Sequence, residues 1–258
     1  MSSILFEIKE NIGVICFNRP EKFNSFNRQM ALQLQEVLDH CAADKAIRAI
    51  YITGNGKAFC AGQDLGELTG ESAPGFEVIL AEHYNPIIQR IRTIEKPVVC
   101  AVNGVAAGAG ANIALCCDVV VATESSSFIQ AFSKIGLIPD SGGTFTFPRL
   151  IGFQKASALM MLGDKVSATE AERIGMIYKV FPDESFAAES MKIADTLSKM
   201  PTKALAYTKQ ALNASVNNSL EEQLKVEDQL QYAAAHTSDY NEGVAAFIEK
   251  RAPVFKGE

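Results

Sequence analysis

Apolar and polar residues alternate along residues 3–9 and again along 12–18, around Asn11–Gly13, which predicts a short antiparallel hairpin. The period then changes. From Asn27 to about Cys41, the residues Met30, Leu34, Val37, Leu38 and Cys41 recur at helical spacing, with Asn27 placed to cap the helix. "IRAIYITG" (47–54), "KPVVCAVNG" (96–104) and "CCDVVVAT" (116–123) are short β-rich runs and are predicted as buried strands. Helical stretches at about 77–93 and 108–116 lie between them, so the core is α/β. The segment "GELTGESAPGFE" (66–77) reads as a surface loop. From about Ala168 the pattern is nearly all helical: 168–175, 184–198, 201–215, 219–235 and 240–250. The expected organisation is a core over 1–198 and a helical region over 199–258.

Composition narrows the function classes. The chain has 258 residues, 48% of them hydrophobic, enough for a large core. A formal net charge of -6 argues against general polyanion binding, so no nucleic-acid partner is expected. Six cysteines show no CxxC spacing and sit among apolar residues, which reads as reduced core thiols. There is no signal-peptide pattern and no apolar run long enough for a membrane span. A cytoplasmic protein without a membrane partner is the expectation. His40, His83 and His236 are too far apart for metal-ligand spacing, and no metal site is expected. "GAGANI" (108–113) has Ile113 where a dinucleotide fingerprint needs a small residue, and Ser141 has no nucleophile elbow.

Two turns and one acid remain. "KAFCAGQDL" (57–65) follows a predicted strand, and "NGVAAGAGANIAL" (103–115) joins a strand to a helix. Small residues there let a ligand approach the backbone amides, or simply let a helix and strand pack tightly. In "GLIPDSGGTF" (136–145), Asp140 stands between apolar residues and a glycine pair. It is placed either to cap the next helix or to act as an acid–base group whose pKa is raised by desolvation.

"NRPEKFNSF" (18–26), "GKAFCAGQDL" (56–65), "KPVVCAVNGVAAGAGANIALCCDVVVAT" (96–123) and "GLIPDSGGTFTFPRLIG" (136–152) resemble successive motifs of the crotonase superfamily. "SATEAERIGMIYKV" (167–180) and "EGVAAFIEKRAPVFKG" (242–257) continue the resemblance, which spans essentially the whole chain. It implies a spiral of β–β–α units followed by a helical trimerisation region, and a homotrimer or dimer of trimers. It implies an acyl-coenzyme A substrate, with no cofactor beyond the coenzyme A of that substrate. The amides of Ala61 and Ala109 are expected to form an oxyanion hole, with Gln63, Asp64, Leu65, Asn112 and Phe132 against the substrate.

The two glutamates of the family's hydratases would fall at Asn112 and Phe132, so hydration is not the expected reaction. Asp140 matches the position of the single catalytic acid in the family's dienoyl-CoA isomerases, 4-chlorobenzoyl-CoA dehalogenases and ring-epoxide isomerases. The ring-epoxide branch is the most similar. An isomerase is expected, acting on an aryl epoxide or shifting a β,γ double bond to α,β. Hydration, dehalogenation, and a silent thioester- or RNA-binding homologue are the alternatives. Asn112 would orient Asp140, a water or the substrate, or else pack the helix. Phe132, Phe145 and Phe147 would line an aryl pocket or belong to the core. Lys57 and Arg28 would face the coenzyme A phosphates or water.

Overall fold

The structure, a computed structural model, describes residues 2–69 and 73–258. The first hairpin forms as the alternation requires: β1 (Ile4–Lys9) pairs antiparallel with β2 (Ile12–Phe17), Ile4 opposite Phe17 and Lys9 opposite Ile12. Every later strand of the larger sheet joins in parallel. β3 (Ala49–Gly54) lies beside β2, then β5 (Val98–Val102), β7 (Val119–Thr123) and β10 (Lys179–Phe181).

A smaller sheet contains β4 (Ala58–Cys60), β6 (Val105–Ala107), β8 (Ser127–Ile129) and β9 (Lys165–Ser167). Each coil of the chain therefore adds one strand to the large sheet, one to the small sheet, and then a helical segment. β5, β6 and the helix α3 (Ala109–Leu115) are one such coil. β3/β5/β7 and β4/β6/β8 stack in parallel because successive coils repeat this path. This is the expected spiral of β–β–α units.

The parallel strands are buried on both faces, and their side chains alternate between two cores. Ile50, Ile52, Val98 and Cys100 enter the larger one with α1 (Arg28–Ala43), while Tyr51, Val99 and Ala101 face Phe186 and Ala194 of the helix Phe186–Ser198. Asn27 caps α1, its side chain accepting the Met30 N–H at 2.9 Å. All six cysteines are free thiols, five of them buried. Desolvation raises Cys41 and Cys60 to about 12.

Two expectations are corrected. The region after Ala168 is not uniformly helical, because β10 returns to the large sheet before the helix Phe186–Ser198. The helix expected at about 77–93 does form, as α2 (Asn85–Thr93) continued backwards by a π-helical segment, Ile79–Tyr84, and a helical turn at Phe76–Val78. In the predicted loop 66–77, a 3-10 turn over Leu65–Leu68 and the start of that helix replace irregular chain, while residues 70–72 lie outside the described residues. The helices Thr202–Ser215, Leu220–Ala235 and Ser238–Glu249 form the C-terminal region. Lys209 ties the first of them down, its Nζ donating to the Ile91 carbonyl at 2.6 Å and to Asp118 at 2.8 Å. No helix among the described residues is long and apolar enough to cross a membrane.

Candidate active site

The two small-residue turns meet because glycine lets their backbones touch. A Cβ on Gly110 would lie 2.5 Å from the Cys60 carbonyl oxygen, and one on Gly62 would lie 2.9 Å from that of Ala107. Gly62 also has φ +90, which side-chain-bearing residues rarely adopt. Tight packing and close backbone approach are thus one feature. Gly108 at φ +53 turns the chain into α3, whose first amide is that of the buried Ala109. A first-turn amide has no partner within its own helix.

The amide of Ala61 is not available. It donates to the Phe23 carbonyl at 3.0 Å. Phe26 instead makes a parallel bridge to Gln63: its N–H donates to Gly62 O at 2.7 Å, and its carbonyl accepts the Asp64 N–H at 2.8 Å. A trans peptide points its C=O and N–H in opposite directions. Anchoring Gly62 O on Phe26 therefore turns the Gln63 N–H away, and it meets no acceptor among the described residues. The free donors are Gln63 and Ala109, not Ala61 and Ala109.

The side chains around this turn divide by task. Asp64 accepts from Arg19 at 2.9 Å and from the Gly66 amide at 3.1 Å. Burial pushes its carboxyl up, but these donors outweigh burial and hold it below the usual range. It fixes the turn rather than facing a ligand. Leu65 is exposed at the start of the 3-10 turn. The Gln63 side chain is held at both ends, its Oε1 accepting the Tyr84 hydroxyl at 2.7 Å and its Nε2 donating to Glu67 at 2.9 Å. Tyr84 is buried at the end of the π-helical segment.

Asp140 does not cap the helix that follows. The cap of α4 (Gly143–Ile151) is Gly142, and no side chain bonds to it. Ser141 and Gly142, both at positive φ, swing the chain so that the Asp140 carboxyl is left with the Ser141 hydroxyl as donor at 2.8 Å. Burial raises its pKa, opposed by that hydroxyl and by its own backbone amide.

Its main chain is held by Asn112, whose Nδ2 donates to Asp140 O at 2.8 Å, while Gln130 Nε2 donates to Asn112 Oδ1 at 2.7 Å. Asn112 thus orients the Asp140 backbone from within α3. Gly143 makes room for it, since a Cβ there would fall 2.3 Å from the Asn112 amide.

Asp140 borders a cavity of about 440 Å³ lined mainly by Phe76, Leu80, Leu137, Ile138 and Pro139. Of the two readings of Phe132, Phe145 and Phe147, core or aryl pocket, the pocket reading is not met at this cavity. Phe147 is core, Phe145 is half exposed beneath Arg149, and Phe132 is buried beside Gly108; none borders this cavity, and Phe76 does. Arg28 is paired with Glu82 at 2.5 Å and touches His83, and Lys57 is exposed. Sequence reasoning missed Tyr84, Glu67, Gln130 and Phe76. Only Gln130 carried a signal, a polar residue enclosed by Phe128, Ile129, Ala131 and Phe132.

The family model for enoyl-CoA hydratase/isomerase matches residues 7–258. The chain is 44% identical to the 1,2-epoxyphenylacetyl-CoA isomerase of Escherichia coli (strain K12), covering 100% of both chains. It is also 44% identical to a protein named "Probable enoyl-CoA hydratase" from Rhodobacter capsulatus, over 99% of this chain and 98% of the other. Among solved structures, an enoyl-CoA hydratase from Bacillus anthracis superposes with a TM-score of 0.92 at 32% identity, covering 99% of this chain and 100% of the other. One from Polaromonas sp. JS666 gives 0.91 at 33% identity, over 98% and 99%.

Proposed function

The chain belongs to the enoyl-CoA hydratase/isomerase family, the crotonase superfamily, and is an enzyme of coenzyme A thioesters; from that premise we propose that it is an isomerase. Its substrate in this reading is 1,2-epoxyphenylacetyl-CoA, converted to the ring-expanded oxepin, or a β,γ-enoyl thioester converted to the α,β isomer. One observation carries the reading: Asp140 is the only carboxylate among the described residues that line its cavity, and burial raises its pKa.

For the double-bond shift, the thioester oxygen sits at the Gln63 and Ala109 amides. The Asp140 carboxylate removes a proton from the α-carbon. The C–H electron pair forms a double bond from the α-carbon to the carbonyl carbon, and the carbonyl π pair moves onto the thioester oxygen. This gives a dienolate whose charge lies between the two amides while the β,γ double bond stays in place. Asp140 then returns its proton to the γ-carbon. The oxygen pair re-forms the carbonyl, the enolate pair shifts to α,β, and the β,γ π pair takes the proton, so atoms and electrons balance with no water and no redox partner. Fixed amide donors stabilise that charge as it develops, each by about 3–4 kcal/mol. A carboxyl with a raised pKa is also the better base towards carbon.

A second reading, hydration, is supported by the hydratase names of several relatives. Against it, the Asn112 carboxamide is neither an acid nor a base at working pH and is already committed to Asp140 and Gln130. One experiment separates the two. Wild type and Asp140→Asn are incubated with trans-3-hexenoyl-CoA in heavy water and followed by NMR. Bond migration with deuterium uptake in wild type, lost in the variant, is expected. A 3-hydroxyacyl product from trans-2-hexenoyl-CoA, with trans-3-hexenoyl-CoA left unchanged, would replace this reading with hydration.

We assign the apolar side chains that the C-terminal helices leave exposed, Phe247 and Ile248 among them, to contacts between copies in a homotrimer or dimer of trimers. A stable monomer by light scattering would remove that assignment.

A further inference from the structure

We propose that Tyr84 is a positioning residue for the Gln63 amide, an inference that rests on the oxyanion role given to that amide above. Gly62, at φ +90, imposes little preference of its own on the peptide that carries the Gln63 N–H, so outside contacts must set its direction. There are two, and Tyr84 supports both. The first is the Phe26 N–H on Gly62 O; the Tyr84 ring packs against the Phe26 ring, centroids 5.9 Å apart. The second is the hydrogen bond from the Tyr84 hydroxyl to Gln63 Oε1. With Glu67 on Nε2, this bond leaves the Gln63 side chain one orientation, and hence restrains the backbone that carries it.

Tyr84 is itself held. The π-helical segment shifts the pattern of its carbonyls, and the buried Gln35 of α1 donates Nε2 to Glu82 O at 2.7 Å and to His83 O at 3.3 Å. π-segments of this kind concentrate at functional sites. Burial, with Cys60, Asp140 and Glu67 adding to it, pushes the phenol pKa up, so Tyr84 remains a donor across the working pH range and does not exchange its proton.

The test reads the thioester carbonyl directly. 2,4-Hexadienoyl-CoA bound to the oligomer as purified is expected to show a red-shifted absorbance and a lowered C=O stretch, as donors draw charge onto its oxygen. Tyr84→Phe keeps the ring and removes the hydroxyl. It is expected to diminish both shifts and to lower kcat for trans-3-hexenoyl-CoA about tenfold, close to 1.4 kcal/mol, with KM within about twofold. Gln63→Ala, which keeps the amide but loses its brace, is expected to give the same spectrum, and the double variant is expected to add nothing further. An unchanged carbonyl shift in Tyr84→Phe, with wild type shifted, would overturn the role of Tyr84 and leave the oxyanion reading standing. A Tyr84→Phe variant that loses a basic limb of the pH–rate profile would also overturn it, in favour of proton transfer by the phenol. No shift in wild type, despite binding, would remove the oxyanion reading and this inference with it.

Discussion

The two sides of the proposed site are made of different material. On the turn side, at 60–63 and 108–110, the functional groups are backbone amides, and the side chains matter through the room they leave. On the Asp140 side a single side chain carries the chemistry, and the backbone matters because Asn112 and Gly143 hold it. The first side depends on shape and the second on charge. Substitutions should therefore separate them: one side loses activity through lost geometry, the other without any loss of fold.

The largest effect is expected from Asp140→Asn, a fall in kcat of about 10²–10⁴ if the residue transfers the proton. Its thermal stability should rise. The folded pKa of Asp140 lies above its unfolded value, so ionisation is disfavoured in the fold. The carboxylate therefore costs stability above the folded pKa, and that cost disappears as pH falls through it. By the same shift, the acid limb of kcat/KM in wild type should lie above the ordinary aspartate value of about 3.9. Parallel Tm measurements at neutral and low pH check the first point, and a pH–rate profile the second. A Tm for Asp140→Asn below wild type at neutral pH would contradict the assignment of charge as the governing quantity there.

On the turn side, Ala109→Pro should come next. Proline is tolerated at a first helical position but has no N–H. Loss of one oxyanion donor is expected to lower kcat by about 10²–10³ while the far-ultraviolet circular dichroism stays as in wild type. Gly110→Ala should be smaller in free energy and different in kind. Its Cβ has no place against Cys60, and overpacking of this sort costs about 1–3 kcal/mol, read as a lowered denaturant midpoint with activity lost alongside it. If Gly110→Ala kept full activity and stability, the contrast drawn above would fail on its backbone side.

Much of this arrangement was legible in the sequence, for specific reasons. The hairpin and the longer strands of the large sheet announce themselves because alternation and apolar runs are local patterns. Asp140 stands out because a lone acid amid apolar residues is unusual. The strands of the small sheet and β10 run to only three residues each and show no period, so they could not be read. The choice of Ala61 over Gln63 went wrong for a similar reason. Which amide in "CAGQD" stays free is decided by pairing with Phe23 and Phe26, more than thirty residues earlier, and nothing in the motif encodes it. Tyr84 was hidden likewise. In the chain it looks like one more core aromatic, and only the π-segment brings its hydroxyl to Gln63.

The contact of Gly110 with Cys60 joins successive coils of the spiral. No fragment holding only one of the two turns contains both amides, so a chain paused after its first coil has no partial catalyst to display. Contacts between distant residues form late and slowly in folding. Turnover during refolding should then lag behind the recovery of helix signal, which would make activity a clock for closure of the second coil.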